Sequence, residues 1–248
     1  VALVKVGGLT QTLGGANTYT GGTTVSNGTL NVNGSVVNGA TVRSGCTLGG
    51  SGTISGVVTV NAGGTLASGE SIGTLTLNSS PVLNGTVRAE VDRNDGITFL
   101  ADQIAVPGNP IAYNGTLVIT NSGAPLQFGD TFALFNAASY SGGFTLISQT
   151  PGQIITWNMA NLTANGTVSV GTVTPAPITA VVSGGNLNLS WPLEAAGAQL
   201  QIQTNTLAVG ISDNWFPVSG STLNNTASIP VDPANPSVFL RLVYPPQQ

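Results

Sequence analysis

The stretch that decides the fold is TLNVNGSVVNGATVRSGCTLGGSGTISGVVTVNAGGTLASGESI, residues 29–72. A serine or threonine recurs here at every sixth position, and an aliphatic residue follows each one. The hydroxyl positions are Thr29, Ser35, Thr41, Thr47, Thr53, Thr59, Thr65 and Ser71. The aliphatic positions are Leu30, Val36, Val42, Leu48, Ile54, Val60, Leu66 and Ile72. A fixed short period, with glycine at many of the positions between, indicates one structural unit repeated along the chain.

Each six-residue unit is interpreted as a short strand followed by a bend. The aliphatic side chain points inward and stacks on its counterpart in the next coil, so the eight aliphatic residues form the predicted core ladder. Glycine permits the corners, where the backbone takes a positive φ. The pattern therefore predicts a β-solenoid. A series of β-hairpins with Asn-Gly turns is the alternative, but hairpins would not keep one period for eight units. Two or three units per coil are both compatible with the period.

The rest of the chain keeps β character but loses the six-residue period. Residues 81–172 are predicted to form a β-rich cap, a sandwich or a widened end of the solenoid, because strand patterns alternate there with Asn-Gly and Gly-Gly turns. Residues 173–178 contain prolines and are interpreted as a linker. Residues 179–248 are predicted to form a separate β-sandwich. The expected fold class is all-β, with an N-terminal solenoid over residues 1–80 followed by sandwich-like domains.

The N-terminal segment resembles a known repeat. Residues 13–25 read LGGANTYTGGTTV and residues 27–30 read NGTL, a sequence similar to the autotransporter-associated β-strand repeat. The similarity extends over residues 3–33, and residues 63–75 resemble the usual continuation of such proteins. The resemblance implies a right-handed β-helix exposed outside a bacterial cell, and it implies no catalytic residue.

The C-terminal segment resembles the small fibronectin-type-III-like sandwich found at the end of secreted bacterial repeat proteins. The stretches that carry the likeness are LSWP at 189–192, NW at 214–215, VDPANP at 231–236 and FLRL at 239–242. The resemblance implies a compact β domain after the linker.

Composition excludes several classes of protein. Charged residues make up 6% of the 248 residues, with 9 acids against 5 bases and a formal net charge of −4. No basic cluster occurs, which argues against a nucleic-acid partner. The chain has no histidine, which excludes histidine-based triads and metal sites. Its apolar runs are too short to span a membrane. The single cysteine, Cys46, is expected to be a buried, unreactive thiol. We therefore expect neither an enzyme nor a cofactor.

The one acidic cluster consists of Glu90, Asp92, Asp95 and Asp102. Asp92 and Asp95 are candidates for a weak calcium site, because residues 92–96 resemble part of a calcium-binding loop. Their spacing departs from the standard pattern, and no bidentate glutamate follows at the required distance. A solvated turn is the alternative interpretation.

These patterns predict a secreted structural protein of the bacterial cell surface. A solenoid has two open ends that present unpaired backbone groups, and contacts between unlike ends produce filaments. The N-terminal strand Ala2, Leu3, Val4, Lys5 and Val6 is expected to add to a neighbouring subunit. The expected assembly is a head-to-tail homo-oligomer, in the form of a surface filament or a biofilm matrix fibre.

Two other functions remain open at this point. A monomeric adhesin would use the C-terminal sandwich to bind a glycan, with Trp191, Trp215 and Tyr244 as candidate contacts, although both tryptophans are expected in the core. A fragment of a larger passenger protein would have no role of its own. Asn-Gly-Thr sequences are interpreted as turns, with glycosylation as the alternative.

Overall fold

The computed structural model describes residues 1–94, 98–150, 153–195, 197–235 and 237–243. Almost all of the regular structure in these residues is β, in 28 strands that are numbered here along the chain. The chain forms two compact units. The first unit comprises Val1–Ala124, Phe128–Gln149 and Trp157–Gly171. The second unit comprises Pro125–Gln127, Thr150–Thr156 and Thr172–Gln248.

The first unit is built on a stack of coils, in which each turn of the chain places short strands on three faces. The first face contains β1 (Leu3–Lys5), β4 (Thr23–Val25), β7 (Ala40–Val42), β10 (Val58–Val60) and β13 (Val82–Leu83). The second contains β2 (Thr10–Leu13), β5 (Thr29–Val32), β8 (Thr47–Gly50), β11 (Thr65–Ser68), β14 (Thr86–Asp92), β17 (Thr116–Asn121) and β20 (Thr145–Gln149). The third contains β3 (Ala16–Asn17), β6 (Ser35–Val36), β9 (Thr53–Ile54) and β12 (Thr74–Leu77). Stacked strands are parallel, so the unit is a β-solenoid.

One coil holds three six-residue units. Leu30 pairs with Leu48, and Leu48 pairs with Leu66, so residues 18 positions apart stack on each other. All three leucines are fully buried. The other ladder residues that lie inside the stack and are inaccessible to solvent are Val36, Val42, Ile54 and Val60. These columns of aliphatic side chains form the core, and their burial provides most of the stability of such a stack.

Glycine forms the corner between the first and second faces. Gly45 has a φ of +74° and Gly63 a φ of +77°, and the two residues occupy the same corner of successive coils. An L residue with a side chain is strained at such a φ. The glycines between the ladder residues therefore set where each coil turns.

The ladder departs from the predicted period at its last position. Ile72 lies in a bend and is only partly buried. The residue that pairs with Ile54 is Leu77, five positions later. The extra residues form a loop in which Gly69, at a φ of +72°, pairs with Gly50. Backbone pairing between coils thus resumes in register after an insertion that interrupts the sequence period.

The solenoid does not end at residue 80. Strands β13, β14 and β17 continue the parallel stacks, and β16 (Gln103–Tyr113) contributes to the third face and then to the first. The register of β16 shifts between Val106 and Pro110, where the coil turns its corner. Strand β15 (Leu100–Ala101) pairs antiparallel with β14. Because the strands and corners are longer here, the six-residue period disappears from the sequence, but the coils continue.

An aromatic cluster and a short helix cover part of the last coil. Strand β19 (Phe135–Gly142) stacks on β16, and α1 (Leu162–Asn165) packs against β19. The rings that fill the interior here belong to Tyr113, Phe135, Tyr140 and Phe144. The Tyr113 hydroxyl donates to the Leu162 carbonyl oxygen at 3.0 Å. Because Tyr113 is an inward-facing side chain, this bond places α1 over the opening of the coil.

Strands that precede and follow β19 and β20 in the sequence form a further three-stranded sheet. Strand β22 (Thr167–Pro175) lies between β18 (Thr131–Ala133) and β21 (Gln153–Asn158). Phe132 and Trp157 are both buried, and their rings meet edge to face with centroids 6.1 Å apart. This pair accounts for part of the aromatic content that the sequence concentrates in this region.

The second unit contains two three-stranded antiparallel sheets. The first sheet has the order β23 (Thr179–Ser183), β24 (Asn186–Ser190) and β27 (Thr226–Pro230). The second has the order β26 (Phe216–Pro217), β25 (Gln199–Thr204) and β28 (Val238–Val243). A 3₁₀ turn covers Leu193–Ala195. The predicted linker is not free of contacts, because Ala176 and Ile178 pack on the core around Leu189 and Trp191.

Candidate functional surface at the N-terminal coil

The first coil, which consists of β1, β2 and β3, has strand partners on one side only. Strands β1 and β3 lie at the two ends of one sheet, and β2 lies at the end of the other. On their outer side no strand pairs with them anywhere in the described parts of the chain. Three edges with unpaired N–H and C=O groups therefore face the same way, which makes this coil a template for strand pairing.

Three inward positions of the first coil are polar, whereas Leu13, which pairs with the buried Val32, is apolar. Lys5 stacks on Val25, and Gln11 stacks on Leu30. Asn17 occupies the corresponding position below Val36 on the third face. Lys5, Gln11 and Asn17 are six residues apart, and the columns that contain Val25, Leu30 and Val36 each end in one of these polar side chains.

Lys5 is a buried cation with its hydrogen bonds satisfied. The side chain is 8% exposed. Its ammonium group donates to the carbonyl oxygens of Gly7 at 2.7 Å, Asn27 at 3.0 Å and Val6 at 3.2 Å. An ammonium group has three N–H donors, so each of them has an acceptor. The Asn27 oxygen belongs to the second coil, and the bond therefore ties the first coil to the second.

Apolar surface surrounds these polar groups. A cavity of about 320 Å³ opens at the first coil, and its lining includes Leu3, Gln11 and Leu13. Val4 is 54% exposed and Leu9 is 84% exposed. The predicted self-assembly residues lie around this cavity: Leu3, Val4 and Lys5 form β1, while Ala2 and Val6 are exposed on either side of it.

The predicted acidic cluster does not converge on one point in the described residues. The Asp102 carboxylate accepts hydrogen bonds from the backbone N–H groups of Glu90 at 2.9 Å and Gly73 at 3.0 Å. Burial raises the pKa of Asp102 from 3.8 to about 6, although these two bonds act in the opposite direction. Asp102 therefore joins two coils of the stack.

Of the two predicted calcium ligands, Asp92 lies within the described residues. Asp92 has one carboxylate oxygen that is buried and has no hydrogen-bond partner, and Asp95 lies outside the described residues. Where the structure describes the chain, no group of three histidine, cysteine, aspartate or glutamate side chains is placed to hold a metal ion. The weak calcium site stays a prediction.

The other residues that the sequence analysis singled out are the cysteine and three aromatic residues. Cys46 is buried, and its thiol contacts the Ser44 carbonyl oxygen at 3.6 Å. Trp191 is buried in the core of the second unit. Trp215 is partly exposed, and the Arg241 guanidinium lies 4.2 Å from the centroid of its ring. Tyr244 lies outside the described residues.

Sequence reasoning predicted a β-rich cap within residues 81–172, but it missed the lysine network and the helical turn at the last coil. The six-residue spacing of Lys5, Gln11 and Asn17 is a signal for inward positions, but their polarity hides it. Nothing in the sequence around Leu162 indicates that a single helical turn covers the solenoid.

Comparison with family models identifies a known repeat in the N-terminal segment. Residues 3–32 match the family described as the passenger-associated-transport-repeat. The matched segment covers β1 to β5, that is, the first coil and the beginning of the second. The chain thus carries a repeat of the autotransporter passenger type in a β-solenoid, which supports a surface-exposed or secreted protein. No curated protein matches the chain. Within the described residues, no helix has the length and apolar character needed to cross a membrane.

Proposed function

We propose that this chain is an extracellular structural protein of the passenger type, secreted or held at the bacterial cell surface, which self-associates through its first coil. The observation that carries the proposal is the set of three unpaired strand edges on that coil, with apolar side chains and a cavity between them. A β edge of this kind pairs readily with another β edge.

Charge favours contact between copies at this surface. Lys5 is the one charged side chain in residues 1–20, and three carbonyl oxygens already bind it. Two copies that approach through their first coils therefore meet little like-charge repulsion. The low charge of the whole chain acts in the same direction.

A head-to-tail filament, the assembly that the sequence favours, needs a second surface that accepts the first coil. The last coil is a poor acceptor of a whole coil, because α1 packs on β19, although β20 has no further strand partner among the described strands. A filament would therefore need its second contact elsewhere on the chain. We therefore propose self-association through the first coil without specifying a filament. That the second unit is a fibronectin-III-like domain is a separate proposal.

Sedimentation velocity and negative-stain electron microscopy over a concentration series test this proposal. Wild-type protein should shift to larger species as its concentration rises. Thr12→Lys adds a charge at an exposed position of β2 and should suppress the shift. Thr74→Lys, the same change at an exposed position of β12, should leave the shift intact. Monomers at every concentration would overturn the proposal.

Glycan binding is the second candidate function, and one observation favours it. Trp215 is partly exposed and Phe216 beside it is exposed, so the second unit presents aromatic surface to solvent. Aromatic rings of this kind stack on sugars in many binding proteins. Retention on insoluble polysaccharides that Trp215→Ala abolishes and Leu207→Ala preserves would support an adhesin. No retention of the wild-type protein would remove this candidate.

A further inference from the structure

We propose that two copies of this protein join first coil to first coil about a two-fold axis, which gives a closed dimer. The inference rests on the proposed self-association and specifies its geometry. Strand β2 of one copy would lie antiparallel to β2 of the second copy, while β1 of each copy would lie beside β3 of the other.

The closed end of the solenoid supplies the first argument. An in-register coil cannot stack on β19, because α1 packs there. The Gly166 carbonyl oxygen, which follows the helix, accepts hydrogen bonds from the backbone N–H groups of Leu134 and Phe135, both at 3.1 Å. The helix is thus held in place by the backbone at the start of β19. At the last coil β20 has no further strand partner among the described strands, but α1 occupies the position above β19, so a whole coil cannot stack there in register. The first coil is the end at which all three strands lack an outer partner in the described residues, and two copies that meet through this one surface form a symmetric contact.

The geometry of the strands permits this contact. The two-fold axis runs perpendicular to the stack and passes through the middle of β2. It places β2 of one copy antiparallel to β2 of the other, and it places β1 of each copy beside β3 of the other. Antiparallel pairing keeps the side chains of opposed residues on the same face of the sheet. With the axis at Gln11, the two Gln11 side chains face each other in the shared interior, and Thr10 lies opposite Thr12 on the outside.

The polar interior of the first coil suits contact with an identical coil. A glutamine amide carries both donors and an acceptor, so two facing Gln11 side chains can satisfy each other. The Lys5 ammonium has its three acceptors within its own copy. The Asn17 amide nitrogen donates to the carbonyl oxygens of Gly15 at 2.8 Å and Ser35 at 3.1 Å. The contact would therefore bury Leu3 and Leu13 without leaving these donors unpaired.

Disulfide trapping tests the symmetry. In a Gln11→Cys variant the two thiols would lie across the axis, at a separation that a disulfide bridges. Mild oxidation of this single variant should convert most of it to covalent dimers and to nothing larger. Thr74→Cys, with its thiol at an exposed position of β12 far along the stack from β2, should form no covalent dimer under the same conditions. The wild-type protein should form no covalent dimer either, because its one thiol, Cys46, is buried.

The outcomes separate this inference from the proposed function. If Gln11→Cys gives covalent dimers and sedimentation of the wild-type protein stops at the dimer, the two-fold contact is supported. If the wild-type protein forms larger assemblies and Gln11→Cys does not cross-link to itself, the contact is not symmetric and the inference is wrong, while self-association stands. If the wild-type protein stays monomeric at every concentration, both are wrong.

Discussion

At the residue scale, the solenoid depends on single inward side chains. Each ladder residue stacks between the same positions of the coils before and after it, so its removal leaves a gap in a continuous column. Lys5 could not have been predicted as an inward residue from the sequence, because its burial depends on carbonyl oxygens that converge only when the second coil is in place. Residues with apolar side chains in the same columns were predictable from their period alone.

Leu48→Ala should lower the free energy of unfolding by about 2–5 kcal/mol, because Leu48 is fully buried in the middle of a column. Urea denaturation followed by circular dichroism measures the change. Val57→Ala, at an exposed position of the adjacent coil, is the control and should change stability by less than about 1 kcal/mol. Equal effects of the two substitutions would contradict the assigned core.

Asp102 should make stability increase as the pH falls through about 6. Its pKa in the folded protein is about 6, against an ordinary value of 3.8. Between these values the folded state binds a proton that the unfolded state does not, so its free energy of unfolding rises as the solution becomes more acidic. The contribution is complete below the ordinary value and is lost above about pH 6.

Urea midpoints at a series of pH values between these limits test the assignment. The wild-type midpoint should rise as the pH is lowered from neutral, and Asp102→Asn should flatten that rise because asparagine does not titrate. Asp213→Asn, a matched change at an exposed position, should keep the wild-type dependence. An unchanged slope in Asp102→Asn would show that another group is responsible.

At the element scale, the corners decide where strands begin and end. The period predicts strands and bends, and the structure confirms an all-β solenoid. The period does not show where insertions fall. The displacement from Ile72 to Leu77 and the long strand β16 both arise at corners, where added residues bulge outward and the next strand recovers its backbone partners. The later coils can be recognised only from the backbone pairing between their strands, and a local sequence pattern does not reveal that pairing.

Gly45→Ala should destabilise the solenoid by about 1–2 kcal/mol, because alanine is strained at a φ of +74°. An added Cβ at Gly45 meets no atom within 4 Å, so the cost would come from the backbone alone. Gly143→Ala is the matched control, since that position also has open space and lacks a positive φ. Thermal unfolding of the two variants compares them directly, and a lower midpoint for Gly143→Ala would contradict the corner assignment.

At the scale of the whole molecule, the two ends of the stack differ. All three strands of the first coil lack an outer partner in the described residues, whereas at the last coil α1 packs on β19. The sequence predicted a filament from the two ends of a solenoid, and it also predicted a β-rich cap within residues 81–172. The helical turn α1 escaped prediction because four helical residues carry no amphipathic pattern, and because the position of α1 is fixed by the Tyr113 hydroxyl and the backbone of β19. The passenger-type repeat was predictable, since its residues are contiguous in the sequence.

Self-association should depend little on salt. The contact joins backbone edges and apolar side chains, and its one charged side chain is already bound. Ionic screening acts on pairs of exposed charges, so the dissociation constant should change less than about threefold between about 0.05 M and 0.5 M sodium chloride. Sedimentation equilibrium at the two concentrations measures this. A tenfold weakening at high salt would point to an electrostatic interface.

The corner inside β16 is a place where the solenoid wall can accept inserted residues. Pro107 and Gly108 are exposed, and an added Cβ at Gly108 meets nothing within 4 Å. The half of β16 before this corner pairs with β12, and the half after it pairs with β13. A peptide inserted between these residues would project from the wall while the columns inside remain continuous. Descendants of this chain can therefore gain recognition loops one corner at a time, and an engineer can display foreign epitopes at the same place, without redesigning the interior.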